Sequence, residues 1–201
     1  MVYTLQHIGF FRTGTIAVSK HINRSRPRGI ILLSIIALII AIFLASLWVL
    51  VPAWYGLPPI AARRKRIERA LQMVNLQPDE IFYDLGSGHG RVLIIAAKDF
   101  GANAIGIEAG PIQCLVAWIN ARVNGISSKV RIEAGDFYRA DLSRADVVYA
   151  YLTSQYATRL QKHLKSQLKS GARIVTVSFN FPDWEPIEVD LEHLIFLYRV
   201  S

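Results

Sequence analysis

Beyond Pro78 the chain alternates short apolar runs with longer amphipathic stretches, and this alternation restricts the possible folds more than any other feature of the sequence. Strands that alternate with helices of this length predict a parallel sheet with helices on both faces. The last apolar runs, 186–190 and 194–200, are too close together for a helical crossover, so they predict an antiparallel hairpin at the sheet edge. We therefore expect an α/β fold: a Rossmann-like, doubly wound, mainly parallel sheet with a C-terminal antiparallel hairpin. The other predicted strands are 81–85, 104–108, 130–134, 146–151 and 172–179, and the predicted helices are 89–99, 111–124 and 154–169.

An apolar segment without charges, Ile30 to Val51, precedes this domain. At ~1.5 Å per residue its 22 residues would span about 33 Å, close to the roughly 30 Å hydrocarbon thickness of a bilayer. A retained transmembrane helix, a cleaved signal peptide and a buried core helix are the three interpretations. The transmembrane helix is favoured because the apolar part of a signal peptide is usually about 7 to 15 residues long, and no clean small-x-small cleavage site follows.

The N-terminal third of the chain is otherwise basic and irregular. The string PAWYGLPP at 52–59 is expected to break any helix. Apolar residues then recur at helical spacing from Ile67 to Val74 and predict an amphipathic helix over 61–76. The expected organisation is a basic arm (1–29), a transmembrane helix (30–51), a linker with an amphipathic helix (52–77) and the α/β domain (78–201).

The string Asp84-Leu-Gly86-Ser87-Gly88-His-Gly90 lies where the first strand turns into the first helix of the domain. Glycines are needed where a backbone turns sharply and must approach a ligand closely, and doubly wound sheets bind nucleotides at this turn. A carboxylate at Asp84 would repel a pyrophosphate, but it attracts the ammonium of S-adenosylmethionine. We expect this loop to bind S-adenosylmethionine through Asp84, Gly86, Ser87, Gly88 and Gly90.

Two more acids follow the next two strands. Glu108 ends the second strand, where a carboxylate can accept hydrogen bonds from both ribose hydroxyls. Asp136 follows the third strand, where it is expected to accept from the adenine amine while Phe137 or a neighbouring apolar side chain lies against the ring. Three acids at the carboxyl ends of successive strands predict one common cofactor crevice.

The fourth strand ends in aromatic residues instead of a catalytic amide. Many amino-group methylases of nucleic-acid bases carry Asn or Asp followed by Pro-Pro and an aromatic residue there, whereas this chain has Tyr149-Ala-Tyr151-Leu-Thr153. Base methylation is therefore disfavoured. Tyr149, Tyr151 and Trp184 are candidates for the lining of an aromatic substrate pocket, and packing of these rings in the core is the alternative.

The net charge of +8 comes from the N-terminal part of the chain. Residues 1–69 hold 10 bases and one acid, which gives +9, and residues 70–201 hold 13 bases and 14 acids, which gives −1. Binding to a phosphate backbone needs positive charge on the binding domain, so no nucleic-acid partner is expected. The single cysteine excludes an internal disulfide, and no His or Cys cluster at ligand spacing predicts a metal.

The residues resemble those of the lysine methyltransferases that act on the c-ring protein of ATP synthase, together with their smaller prokaryotic relatives. The resemblance covers about 58–201 and includes IFYDLGSGHGRVLIIAAKDFGANAIGIEAGP and LKSQLKSGARIVTVSFNFPDW. The F-x-F-P-x-W string in the second segment is more specific to this family than the glycine loop in the first. It implies a class I methyltransferase that transfers a methyl group from S-adenosylmethionine directly to a nitrogen, here a protein lysine, without a metal. The chain departs from the family at Leu57-Pro58-Pro59-Ile60, where members usually carry a Val-Pro pair.

Bases flank the apolar segment on both sides, so charge alone does not orient it. Because S-adenosylmethionine is made and kept in the cytosol, we expect a single-pass protein in the membrane bilayer with its catalytic domain on the cytoplasmic side. The bases at 63–66 are expected to meet anionic lipid headgroups. Three other functions stay open: methylation of a lipid or quinone-type molecule, a non-catalytic membrane adaptor that retains the fold, and nucleic-acid modification.

Overall fold

The computed structural model describes residues 28–54 and 63–201, and for Arg28 and residues 49–54 it describes the backbone alone. In chain order the helices are α1 (Arg28–Trp54), α2 (Arg64–Met73), α3 (Arg91–Asp99), α4 (Pro111–Val123) and α5 (Ala157–Gln167). The strands are β1 (Ile81–Leu85), β2 (Asn103–Glu108), β3 (Val130–Ala134), β4 (Val147–Tyr151), β5 (Arg173–Val177), β6 (Glu188–Asp190) and β7 (Ile195–Arg199). Short 3-10 helices lie at Phe137–Arg139 and Ser154–Tyr156.

The seven strands form one sheet in the order β3-β2-β1-β4-β5-β7-β6. Strands β1 to β5 are parallel, and β7 is antiparallel to both β5 and β6. The strand order reverses at β1, which pairs with β2 on one side and β4 on the other. Open α/β sheets bind ligands beyond the carboxyl ends of the strands at such a reversal, so this topology places the site at the end of β1.

The core has two layers because side chains alternate between the faces of each strand. In β4, Val147 and Tyr149 belong to the cluster that includes Ile67 of α2 and Leu93 of α3. Val148 and Ala150 belong to the cluster that includes Leu160 of α5. Helices α2 and α3 therefore cover one face of the sheet and α5 covers the other.

Helix α2 docks onto the first face through its apolar stripe. Ile67, Ala70 and Leu71 are fully buried, as their helical spacing predicted. Arg173 of β5 donates to the carbonyl oxygens of Val74 and Asn75 at 2.8 and 2.9 Å, where α2 ends. A cation at a helix C-terminus satisfies the last carbonyl groups and interacts favourably with the helix dipole.

Helix α1 is long and apolar enough to cross a membrane over Gly29–Trp48, and none of this segment is buried within the described residues. The expectation that residues 52–59 break any helix is wrong at its start, because the helix passes Pro52 and ends at Trp54. Pro52 has no N–H to donate to the carbonyl of Trp48, four residues earlier. That carbonyl accepts from Nε2 of Gln113 at 3.0 Å, so the freed acceptor has a partner.

The predicted fold class is confirmed, including the closing antiparallel hairpin. The differences are at element ends. The helix predicted over 154–169 begins with a 3-10 turn and is α-helical over Ala157–Gln167. The helix predicted over 61–76 spans Arg64–Met73. Residues 1–27 of the predicted arm and residues 55–62 of the predicted linker lie outside the described residues.

Candidate active site

The glycine loop connects β1 to α3, and its conformation requires glycine. Gly86, Gly88 and Gly90 have φ values of 79°, 54° and 80°, in the left-handed region that other residues rarely adopt. The backbone N–H groups of Gly86 and Ser87 both donate to the carbonyl of Ile107 in β2, at 2.9 and 3.1 Å. No atom lies within 4 Å of where a Cβ of Gly88 would stand, so the loop has open space beside it for a ligand.

Glu108 holds this loop to the loop that follows β2. One carboxylate oxygen accepts from the N–H of Gly88 and the other from the N–H of Gly110, both at 2.8 Å. The predicted ribose acceptor therefore also shapes the loop, and each oxygen keeps a lone pair for a ligand hydroxyl. The N–H of Gly135 donates to the Glu108 carbonyl oxygen at 2.8 Å, which brings the loop after β3 to the same place.

Asp84 buries a carboxyl group and leaves one of its two oxygens without a hydrogen-bond partner among the described residues. The residue is 3% exposed, and its Oδ2 atom has no hydrogen-bond partner among the described residues. Burial, and secondly the nearby charge of Glu108, raise the pKa of Asp84 from 3.8 to about 8. A buried carboxyl group that lacks a partner is costly to ionise unless a cation arrives. The ammonium of S-adenosylmethionine fits this requirement.

Asp136 and Phe137 lie at the third strand end, as predicted, but each already has a structural contact. Asp136 Oδ1 accepts from the backbone N–H of Tyr138 at 2.9 Å and caps the 3-10 helix at Phe137–Arg139. Phe137 is buried against the ring of Tyr138, with ring centroids 4.5 Å apart. The loop position agrees with an adenine site, and one oxygen of Asp136 is not used by this cap.

Tyr149 and Tyr151 lie on the same face of β4, which pairs with β1, the strand that leads into the glycine loop. Tyr149 is the register partner of Asp84 on β1 and is fully buried, and its hydroxyl has no partner among the described residues. Burial raises the pKa of Tyr149. Tyr151 is half-buried at the strand end, with the guanidinium of Arg66 5.4 Å from its ring centroid.

Trp184 packs away from the two tyrosines. Its ring stacks on Phe181 at 5.7 Å and lies 5.6 Å from Tyr198, within the cluster on the α5 face of the sheet. The structure thus brings Tyr149 and Tyr151 together in one cluster and Trp184 into the other. The Nζ atom of Lys165 lies 4.8 Å from the Trp184 ring centroid, a cation–π contact.

The loop that carries Trp184 is fixed at several points. The hydroxyl of Thr176 donates to the carbonyl of Phe179 at 2.6 Å, and the hydroxyl of Tyr198 accepts from the N–H of Phe181 at 3.0 Å. The side-chain oxygen of Gln161 accepts from the N–H of Asp183 at 3.2 Å. Strands β5 and β7 and helix α5 therefore all position the F-x-F-P-x-W segment.

Two residues at the site were not singled out from the sequence. Arg66 belongs to the basic run at 63–66 that was expected to meet lipid, yet its Nε donates to the carbonyl of His193 at 2.6 Å. Gln113 is buried, and its Oε1 atom has no partner among the described residues. Arg64 of the same run pairs with Glu68 at 2.6 Å and with Asp99 at 2.5 Å, and the contact of this run with lipid stays a prediction.

Cys114 lies close to the cofactor cradle, by which we mean the glycine loop at 84–90 together with Glu108 and Asp136, and its thiol is not reactive. Its thiol donates to the carbonyl of Glu108 at 3.3 Å. Burial, followed by the charge of Glu108, raises the pKa of Cys114 to about 11, so the thiol stays protonated near neutral pH. Within residues 28–54 and 63–201, no group of three His, Cys, Asp or Glu side chains is placed to hold a metal ion.

A family model described as the ANTKMT methyltransferase domain matches residues 84–188, from Asp84 of the cradle to the first residue of β6. This match covers more than half of the chain. The chain belongs to the ANTKMT methyltransferase domain family. It is therefore an S-adenosylmethionine-dependent methyltransferase, and the predicted cofactor is confirmed.

Similar proteins agree with this family membership. A protein-lysine N-methyltransferase of Saccharolobus islandicus (strain REY15A) is 34% identical over 151 residues, which are 72% of this chain and 94% of that protein. An ATP synthase c-subunit lysine N-methyltransferase of Xenopus laevis is 31% identical over 65% of this chain, and the match spans 57% of that protein. A crystal structure described as an RNA methyltransferase from Salinibacter ruber, in complex with S-adenosyl-L-homocysteine, is 33% identical with a TM-score of 0.69. That match covers 71% of this chain and 94% of the other.

Proposed function

We propose that this ANTKMT-family enzyme methylates the side-chain nitrogen of a lysine in a protein, and that α1 holds it in a membrane as a single-pass protein. The observation that carries the proposal is the end of β4, where Tyr151 lies beside the cofactor strand under the guanidinium of Arg66. This strand end lacks the Pro-Pro and amide of base methylases. Relatives at 34% and 31% identity are named as lysine methyltransferases.

The acids of the cradle have different roles in holding the cofactor. Asp84 receives the ammonium, Glu108 accepts from the ribose hydroxyls with the lone pairs that the loop amides leave free, and Asp136 accepts from the adenine amine. The glycines at 86, 88 and 90 let the backbone approach, and Ser87 and Phe137 flank the crevice. When bound, S-adenosylmethionine supplies a methyl group on a sulfonium, which makes it electrophilic.

The substrate lysine must lose a proton before it can attack, because the pKa of a free lysine is about 10.4. Aromatic walls disfavour the ammonium by desolvation, and a neighbouring cation disfavours it further. We assign the wall to Tyr151, with the fully buried Tyr149 behind it on the same face of β4. We assign the cation to Arg66, whose Nη1 lies 3.5 Å from the Tyr151 hydroxyl. Trp184 contributes by stiffening the loop after β5. Positioning of the two reactants supplies much of the rate enhancement.

Membrane anchoring is supported by the exposed apolar surface of α1, whose side chains from 30 to 45 are all exposed. The cofactor's compartment places the catalytic domain on the cytoplasmic side. A protease-protection assay on sealed vesicles tests this orientation. Digestion of the catalytic domain in sealed right-side-out vesicles, in which the protease cannot reach the cytoplasmic side, would contradict it.

The decisive experiment is a methyl-transfer assay with the full chain in lipid vesicles, labelled S-adenosylmethionine and membrane protein extract, followed by mass spectrometry of labelled peptides. Label on the lysine nitrogen of a protein supports the proposal. Label in the lipid extract supports the lipid or quinone alternative instead. An Asp84→Asn variant is the matched negative control. A wild-type enzyme that binds the cofactor but transfers no label to any lysine would contradict the lysine assignment.

RNA is the second candidate substrate, because the 33% identical crystal structure is described as an RNA methyltransferase. The near-neutral charge of residues 70–201, 13 bases against 14 acids, offers no extended positive surface for a phosphate backbone. The same assay with RNA added beside the membrane protein extract decides between RNA and protein as substrates, since RNA-bound label is released by ribonuclease and protein-bound label by protease.

A further inference from the structure

Helix α4 presents an apolar surface to solvent. Leu115, Trp118, Ile119 and Val123 are 56%, 51%, 43% and 79% exposed. Their spacing of three, four and eight residues places them on one side of the helix. The opposite side, with Ala117 and Ala121, is buried against the domain. We call these four residues the outer face of α4.

The composition of the outer face suits a lipid interface better than open water. Trp118 has the guanidinium of Arg122 5.0 Å from its ring centroid. Tryptophan concentrates at the headgroup level of bilayers, and arginine there extends its charge towards the headgroups. Helix α4 contains no acidic residue, and Arg122 is its one charged residue. This charge is complementary to an anionic membrane surface.

The first turn of α4 lies close to the end of the candidate membrane span. Gln113, two residues before Leu115, donates to the carbonyl of Trp48, the last residue of that span. The side chains of Ser46, Leu47 and Trp48 are half-buried, whereas those from 30 to 45 are exposed. Gln113 lies with Ala117 and Ala121 on the buried side of α4, so the end of the candidate span meets the first turn of α4 from the side opposite to the outer face.

We propose that the outer face of α4 lies in the headgroup region of an anionic bilayer and sets the orientation of the catalytic domain on the membrane. This inference rests on the proposed membrane anchoring by α1 and adds a second, peripheral contact. Helix α4 starts three residues after Glu108, so its contact with lipid holds the cofactor cradle near the membrane surface. The substrate class that this orientation selects is a lysine close to the bilayer in a membrane protein.

A second exposed apolar surface provides the control. Ile187, Val189, Leu191 and Leu194 lie around β6 and the turn to β7, at the opposite edge of the sheet from β3. Acids alternate with these apolar residues at Glu188, Asp190 and Glu192. Asp190 pairs with Arg69 at 2.7 Å, and the charges of Glu188 and Glu192 disfavour contact with an anionic surface. Leu191 is 75% exposed and has no part in the cofactor cradle.

The test uses the full chain in vesicles of phosphatidylcholine and phosphatidylglycerol, with Cys114→Ala as the background. A nitroxide is attached to single cysteines introduced as Ile119→Cys, Leu191→Cys or Ala37→Cys. The collision rate of each label with oxygen, which concentrates in lipid, is compared with that of a water-soluble nickel chelate. Binding of S-adenosylmethionine by each labelled variant confirms that it is folded.

We expect the oxygen-to-nickel ratio to be higher at 119 than at 191, and to be highest at 37. A ratio at 119 equal to that at 191 overturns the inference. Protection of the label at 119 from both oxygen and the nickel chelate also overturns it, because it means that another protein covers the outer face of α4. A lipid signal at 37 with a water signal at 119 refutes the α4 contact alone. Water signals at both positions refute the anchoring too, whereas methyl transfer in the same vesicles reports on the enzymatic proposal separately.

Discussion

Asp84 of β1 and Tyr149 of β4 are register partners on adjacent parallel strands, and each buries a side-chain oxygen that has no hydrogen-bond partner among the described residues. Natural proteins rarely leave such atoms unsatisfied, and those that do often keep them for a ligand. The two residues lie side by side at the glycine loop, where the cofactor is expected to bind. This pairing indicates that the cradle is incomplete without its cofactor.

Replacing Tyr149 by Phe is expected to weaken cofactor binding without lowering the stability of the fold. Loss of a buried, unpaired hydroxyl should leave the free energy of unfolding of the cofactor-free protein unchanged or raise it by about 1 kcal/mol. The affinity for S-adenosylmethionine should fall about fivefold, since a hydrogen bond of about 1 kcal/mol is lost. Denaturant unfolding and calorimetric titration measure the two effects. Unchanged affinity would mean that the hydroxyl only packs.

The affinity for S-adenosylmethionine should increase with pH up to about 8. The pKa of Asp84 is raised from 3.8 to about 8 in the cofactor-free protein, so the folded protein binds more protons than the unfolded chain between these values. Its stability therefore decreases as the pH rises through this window. A bound ammonium favours the carboxylate, so binding releases a proton and the affinity rises by up to about tenfold per pH unit below pH 8.

Calorimetry at pH 7 in two buffers of different ionisation enthalpy counts the released protons. We expect close to one for the wild type and none for Asp84→Asn, whose affinity should be weak and nearly independent of pH. If the wild-type protein binds the cofactor without releasing a proton, Asp84 is already ionised in the cofactor-free protein, which would contradict this prediction.

Glu108→Gln should weaken cofactor binding more than its loss of charge alone suggests. The carboxylate accepts from two N–H groups, but an amide offers one oxygen and places its NH₂ group against the other donor. Charge-assisted hydrogen bonds contribute about 1.5–3 kcal/mol each, so a loss of at least about tenfold in affinity is expected. Glu133→Gln on β3 is the matched control, because Glu133 pairs with Arg131 at 3.1 Å and does not touch the loop. Equal effects of the two variants would argue against the loop contact.

Arg66→Met should change the pH dependence of turnover and leave cofactor affinity within about twofold. If the guanidinium helps to deprotonate the substrate lysine, removing this like charge raises the lysine pKa by about one unit, so turnover at pH 7 falls about tenfold and recovers at higher pH. Arg64→Met is the control, since Arg64 pairs with Glu68 and Asp99 on the surface. A loss of activity that is the same at every pH would limit Arg66 to its structural bond with His193.

The sheet and the cradle were predictable because their signals are local. Alternating apolar patterns fix strands and crossovers, and the glycines at 86, 88 and 90 have the positive φ values that their loop requires. Strand ends carry Asp84, Glu108 and Asp136, so the topology alone brings these acids to one edge.

Long-range side-chain contacts were not predictable. Trp184 and Tyr151 were grouped as aromatic residues near strand ends, and only the packing of Phe181 and Tyr198 decides that Trp184 lies in the α5 layer. Arg66 was grouped with its basic neighbours, although its contacts are with Tyr151 and His193, which lie 85 and 127 residues later in the chain. Pro52 was expected to end a helix, but a hydrogen bond from Gln113 replaces the one that it removes.

The position of β7 near the end of the chain determines when the sheet can be completed during synthesis. Tyr198 holds the loop at Phe181 through its hydroxyl, and β7 separates β5 from β6. Ribosomes add roughly 5–20 residues per second, so α1 is synthesised many seconds before this strand exists. Under the proposed anchoring, α1 therefore reaches the membrane before the sheet is complete, and the catalytic domain folds while it is already tethered.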